Sequence, residues 1–77
     1  MIIKILGEGC SKCDEMFENV KKATEECDIN AQIIKVDDFR EIVVYGVMTT
    51  PALVIDEVVK SSGRVLSVND IKKYLGI

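Results

Sequence analysis

The spacing of apolar residues changes near residue 10, and this change constrains how the first third of the chain can fold. Residues 1–6 are almost continuously apolar and are followed by Gly7 and Gly9, which is typical of a buried strand that ends in a turn. From Ser11 the apolar residues recur at steps of three and four, which predicts an amphipathic helix ending near Cys27. The buried stripe of that helix is predicted to be Cys13, Met16, Phe17, Val20, Ala23, Thr24 and Cys27.

Two cysteines lie at the predicted junction of strand and helix, in unequal positions. Cys10 lies at or just before the first helical turn, whereas Cys13 is the first member of the buried stripe. A helix N-terminus stabilises a thiolate and can lower a cysteine pKa from about 8.5 to roughly 3.5–7.5. Side chains three apart on a helix are about 5–6 Å apart, so a small adjustment reaches disulfide geometry. We therefore predict thiol–disulfide exchange, with Cys10 attacking and Cys13 resolving.

The composition limits the class of protein. A chain of 77 residues, 48% of them apolar, is expected to form one domain spanning residues 1–77. Ten basic against 13 acidic residues give a net charge of −3 without a basic run, so no nucleic acid partner is expected. No segment approaches the roughly 20 apolar residues of a membrane span, and the N-terminus lacks signal-peptide features. We expect a cytoplasmic protein without a membrane partner.

Local signals predict three further strands and a terminal helix. The strands are short, apolar and mostly β-branched, and they are Ala31–Val36, Ala52–Ile55 and Val58–Lys60. A tight turn at Asp56–Glu57 joins the last two strands into an antiparallel hairpin, and residues 61–64 break the pattern. Ser67 with Asp70 is an N-cap signature, so a helix is predicted to start there and to stop at Gly76. Ile71, Tyr74 and Leu75 are predicted to line one face of this helix.

A short second helix is predicted between the second and third strands. Asp38 followed by Glu41 resembles a capping box, and Gly46 fits the C′ position of a helix. Phe39, Ile42 and Val43 share one face of this predicted helix. Residues 42–44 have mediocre helix propensity, so a strand remains an alternative at this place.

Three motifs resemble, in their order and spacing, the small archaeal and bacterial thioredoxin-like redox-active disulfide proteins. They are G-x-G-C-x-x-C at residues 7–13, G-V-x-x-x-P-A-L-V at 46–54 and S-G-R-V at 62–65. The resemblance implies an α/β fold, the minimal glutaredoxin-sized thioredoxin fold, in the order β-α-β-α-β-β-α. Its central four-stranded mixed sheet would be flanked by three helices. Ser11 and Lys12 replace the Gly-Pro of typical thioredoxins and the Pro-Tyr of typical glutaredoxins, so the electron donor stays open.

The resemblance also implies a substrate groove. Pro51 would be a cis proline facing the cysteines, and the backbone of Thr50 would pair with an extended substrate. The substrate-binding residues expected on this basis are Gly9, Ser11, Lys12, Thr49, Thr50, Pro51 and Gly63. The implied activity is that of a thiol-disulfide oxidoreductase in electron transport, acting on protein or small-molecule disulfides. A reductase or thiol donor would recharge it, and a monomer without cofactor is expected.

A Cu(I) carrier is the alternative from another functional class. Heavy-metal-associated domains have a similar length and a Cys-x-x-Cys after the first strand, and thiolates suit Cu(I). Those domains usually have Met two residues before the first cysteine, where this chain has Glu8, and they end β-α-β rather than β-β-α. A zinc site is disfavoured because the chain has no His and because Cys27 lies about 21 Å along the helix from Cys13.

The remaining sulfur and aromatic side chains are assigned to packing. Cys27 is expected in the core, since unpaired cysteines commonly behave as small buried hydrophobes, and Met16 and Phe17 are expected there too. Tyr45 and Met48 are assigned to packing as well, with the substrate groove as the alternative, because loops carry binding residues.

Overall fold

The chain folds in the order β-α-β-α-β-β-α. The computed structural model describes residues 1–7 and 11–75. The strands are β1 (Ile2–Leu6), β2 (Gln32–Val36), β3 (Ala52–Ile55) and β4 (Val58–Ser62). The helices are α1 (Ser11–Glu26), α2 (Phe39–Val44) and α3 (Val68–Tyr74). Within these described ranges, every helix is too short or too polar to cross a membrane.

The four strands form one mixed sheet in the order β2-β1-β3-β4. β1 pairs with β2 in parallel, whereas β1 with β3 and β3 with β4 are antiparallel. In the antiparallel register Ile3 lies opposite Ile55 and Ile5 opposite Leu53. These four side chains share one face of the sheet, and Leu6, Ala52 and Val54 lie on the other, so the central strands are apolar on both faces. This is the fold that the resemblance implies.

Alternate residues of the central strands build two cores, one on each face of the sheet. The core on the side of α1 and α3 contains Ile3, Ile5, Met16, Val20, Ala23, Leu53, Ile55, Leu66, Ile71 and Leu75. The core on the side of α2 contains Leu6, Val36, Ile42, Val47, Ala52 and Val54. Full burial of one Ile, Leu or Met side chain stabilises the fold by about 1.5–3 kcal/mol. The predicted stripe of α1 is confirmed for its five buried members, whereas two members are half-buried. The buried ones are Cys13, Met16, Val20, Ala23 and Thr24, and the half-buried ones are Phe17 and Cys27.

The second helix forms, and the strand alternative is wrong. The Asp38 carboxylate accepts a hydrogen bond from the Arg40 amide at 2.9 Å, and Gly46 follows the helix with φ +75. Ile42 is 4% exposed, but Phe39 and Val43 are 63% and 52% exposed. The face that these three residues share is therefore buried only at Ile42. A helix of six residues has fewer than two turns, and this one buries Ile42 alone.

The C-terminal hairpin has the predicted turn but a longer second strand. Asp56 and Glu57 have φ of 48 and 69, the left-handed values that a two-residue hairpin turn needs. β4 extends to Ser62, two residues beyond the predicted end, because Ser62 pairs with Ala52. The Ser67 hydroxyl caps α3 by accepting from an amide of its first turn, as predicted. The predicted stop at residue 76 lies outside the described residues.

Lys4 ties three segments of the chain together on the α2 side of the sheet. Its ammonium donates to the Tyr45 hydroxyl at 2.7 Å and to the Glu57 carboxylate at 2.8 Å. The Tyr45 hydroxyl in turn donates to the other oxygen of Glu57 at 2.9 Å. β1, the end of α2 and the hairpin turn are thus joined by one polar network.

The network makes the stability of the fold depend on pH. Hydrogen bonds from Lys4, and then from Tyr45, hold the pKa of Glu57 below its ordinary value of 4.5. A carboxyl group with a lowered pKa stabilises the folded chain above its unfolded pKa, and this contribution is lost as the pH falls through the folded value. Glu57→Gln should therefore lower the free energy of unfolding at pH 7, with the difference from wild type shrinking below about pH 4.5.

Urea unfolding across this pH range measures the effect, and Glu25→Gln on the exposed side of α1 is the matched control. A loss at pH 7 that persists unchanged at acidic pH would contradict the role of the Glu57 charge.

Candidate functional site

Of the two predicted catalytic cysteines, the structure describes Cys13. Cys13 lies in the first turn of α1 and is 2% exposed, as its place in the apolar stripe predicts. Cys10 and Gly9 lie outside the described residues. Ser11 begins α1, and the Lys12 side chain is exposed.

The sulfur of Cys13 lies against the end of β1. The Gly7 amide donates to the Val36 carbonyl at 2.9 Å, so the strand pairing with β2 continues to this residue. A Cβ placed on Gly7 would lie 2.1 Å from Cys13 Sγ and 3.7 Å from Thr50 Cβ. The sulfur of Cys13 and the side chain of Thr50 therefore both lie within 4 Å of the position that a Cβ of Gly7 would occupy.

The loop before β3 provides the other wall of the site. The Thr50–Pro51 peptide bond is cis, as the resemblance implies, and the Pro51 side chain is fully buried. Thr49 and Thr50 are exposed. Of the predicted substrate residues in this loop, Thr50 lies near Gly7, against which the Cys13 sulfur packs.

Gly63 fixes the same loop from the end of β4. Its amide donates to the Pro51 carbonyl at 3.0 Å. Its φ is +82, and a Cβ placed on it would lie 2.7 Å from the Thr49 hydroxyl oxygen. Two constraints therefore require glycine at this position: the left-handed backbone, and the space that the Thr49 side chain occupies.

Lys35 brings a positive charge to the site, and the sequence analysis missed it. Its ammonium donates to the Asp14 carboxylate at the start of α1 and lies 5.5 Å from the Phe17 ring centroid. The pKa of Lys35 is raised, first by this hydrogen bond and then by the charges of Asp14 and Cys13. Its signal in the sequence is a single charged residue within an apolar strand, Q-I-I-K-V.

An apolar cleft extends from the Thr50 loop toward α2. It has a volume of about 150 Å³ and is lined by Phe39, Ile42, Val47, Met48 and Thr50. Met48 is 97% exposed, which fits the groove alternative better than packing. Tyr45 instead lines a separate cleft with Lys4 and Glu57. Cys27 is half-buried rather than in the core.

Comparison with known proteins agrees with this geometry. A family model described as a thioredoxin domain matches residues 1–76. A protein of Methanocaldococcus jannaschii named thioredoxin is 45% identical over 75 residues, which cover 97% of this chain and 86% of that protein. A thioredoxin of Methanothermobacter thermautotrophicus is 36% identical over 75 residues, covering 97% of each. The chain belongs to the thioredoxin-domain family.

The two glycines with left-handed backbone give a test of the Thr49 contact. Gly46 has φ +75, and no atom lies within 4 Å of an added Cβ. At Gly63 an added Cβ would instead lie 2.7 Å from the Thr49 hydroxyl oxygen. Gly46→Ala should destabilise the fold by about 1–2 kcal/mol, the cost of left-handed backbone for alanine. Gly63→Ala should destabilise it further, because the added methyl group also displaces Thr49.

Chemical denaturation of both variants measures the two losses. Adding Thr49→Ala to Gly63→Ala should recover the excess loss, since the hydroxyl in contact is removed. Equal losses for Gly46→Ala and Gly63→Ala would show that Thr49 does not constrain this position.

Proposed function

We propose that the protein is a cytoplasmic thiol-disulfide oxidoreductase, a single domain over residues 1–77 that works through a Cys10/Cys13 dithiol–disulfide couple. The observation that carries the proposal is the burial of Cys13 in the first turn of α1, in contact with Gly7 and beside Thr50 of the cis-proline loop. Cys10 precedes Cys13 by three positions, the spacing of a redox pair. The thioredoxin names of two relatives support the same activity.

The exchange takes place in two steps. The Cys10 thiolate attacks one sulfur of a substrate disulfide, so that a mixed disulfide forms and the first substrate thiolate leaves and takes up a proton. Cys13, deprotonated in its turn, then attacks the Cys10 sulfur. The second substrate thiolate leaves, and a Cys10–Cys13 disulfide remains. Two electrons pass from the protein dithiol to the substrate, and a reductase or thiol donor returns them.

The substrate is held as an extended segment beside the Thr50 loop. Thr49 and Thr50 are exposed, and the fixed position of Pro51 leaves the Thr50 backbone available for a short added strand. The adjoining cleft, with Met48 and Phe39 on its walls, accepts an apolar side chain of that segment. Gly9, Ser11 and Lys12 contribute to substrate binding beside the cysteines, and the protein acts as a monomer.

Reduction of insulin disulfides by the dithiol form tests the proposal. Cys10→Ser should abolish the activity, because the attacking sulfur is lost. Cys13→Ser should keep the attack but lose the resolving step, so disulfide-linked complexes with insulin should accumulate through Cys10. Cys27→Ser is the matched control and should keep the activity of the wild type, since Cys27 lies at the far end of α1.

Mass spectrometry of the trapped complexes identifies the attacking sulfur. Complexes formed equally well by Cys10→Ser would reverse the two roles. A wild-type dithiol that is inert toward insulin and other disulfides, yet binds one Cu(I) tightly, would replace the oxidoreductase by a metal carrier.

A further inference from the structure

Gly7 is a glycine whose backbone does not require glycine. The sequence assigns it to a turn, but its amide continues the strand pairing by donating to the Val36 carbonyl at 2.9 Å. Its φ lies outside the left-handed region that Gly46 and Gly63 occupy. An alanine could therefore adopt the same backbone, and the reason for glycine at this position lies in the space around it.

That space is filled by the sulfur of Cys13. A Cβ on Gly7 would lie 2.1 Å from Cys13 Sγ, whereas ordinary contact begins at 3.4 Å, so the two atoms would have to separate by more than 1 Å. The Gly7 backbone is held by the sheet, and the Cys13 side chain is fixed to a packed helix. The adjustment therefore falls mainly on the Cys13 sulfur, which would rotate toward another staggered position.

A displaced sulfur would impair one step of the exchange and leave the other intact. Attack on the substrate uses Cys10, while release of the substrate requires the Cys13 sulfur to reach Cys10 in line with the mixed disulfide. A misplacement of about 1 Å in a reacting group can slow a step roughly 100-fold. Because Cys13 is 2% exposed, its sulfur has little free space in which to find another productive position.

We propose that Gly7 is a positioning residue for the resolving step. Because Gly7 has no side chain, the Cys13 sulfur can occupy the position from which it closes the Cys10–Cys13 disulfide. The inference rests on the proposed function. It adds to that function a residue that acts through the Cys13 sulfur.

The kinetic test compares the two steps in wild type and Gly7→Ala. Alkylation of the reduced protein by iodoacetamide reports the reactivity of Cys10 and should change less than about twofold. The mixed disulfide formed with a peptide disulfide, followed by quenched mass spectrometry, should persist about 10- to 100-fold longer in the variant. An unchanged lifetime would overturn the inference, and so would equal slowing of both steps, which indicates a general disturbance of the fold.

A double-mutant cycle tests the contact itself. Gly7→Ala should destabilise the reduced chain that contains Cys13 and should cost much less in a Cys13→Ala background, where the sulfur is absent. If Gly7→Ala alone does not fold, recovery of folding in Gly7→Ala/Cys13→Ala gives the same answer. Equal losses of stability in both backgrounds would overturn the proposal that Gly7 makes room for the Cys13 sulfur.

The two proposals fail in distinguishable ways. A wild-type protein that reduces disulfides, together with a Gly7→Ala variant of normal mixed-disulfide lifetime, would remove the positioning role alone. A wild-type protein without exchange activity would remove the oxidoreductase and the positioning role together.

Discussion

The contact between the first turn of α1 and the end of β1 holds the candidate site together. It depends on a central strand fixed by backbone pairing on both edges, with β2 on one side and β3 on the other. The strand therefore presents Gly7 as a rigid surface for the Cys13 sulfur. Thr50, in the loop before β3, also approaches Gly7. The sheet thus places the buried thiol and the cis-proline loop beside each other without requiring a contact between α1 and α2.

Burial and charge act in opposite directions on the buried thiol. Removal of Cys13 from water disfavours its thiolate, which the proposed resolving step would require. Lys35 counteracts this from β2, because opposite charges stabilise each other, and the pKa of Lys35 is raised in part by the charge of Cys13. Asp14 keeps the ammonium at the start of α1, although its own negative charge reduces the benefit to the thiolate. In the proposed exchange, the charge of Lys35 would favour the thiolate form of the buried Cys13.

Periodicity predicted the order of the elements because several elements, above all β1, β3 and α1, each bury a regular pattern of side chains. Local sequence patterns predicted less well where contacts between different elements determine the role or the burial of a residue. Phe39 and Val43 fit a helical face, but α2 has too few turns to bury it. Gly7 fits a turn, but the nearby sulfur of Cys13, which α1 places against it, explains the glycine better. Lys35 was overlooked because its partner Asp14 is brought close only by folding. The cis bond at Pro51 followed from the resemblance, since X-Pro bonds are cis in only about 5–6% of cases.

The reduction potential of the Cys10/Cys13 couple tests the central claim most directly. The protein is equilibrated with glutathione or dithiothreitol buffers of graded potential, quenched by alkylation and analysed by mass spectrometry, so that each cysteine is assigned its state. The account predicts one reversible two-electron transition that involves Cys10 and Cys13 but not Cys27, between about −270 and −200 mV, the range from thioredoxin to glutaredoxins. No reversible transition in these buffers, or a disulfide that includes Cys27, would contradict it.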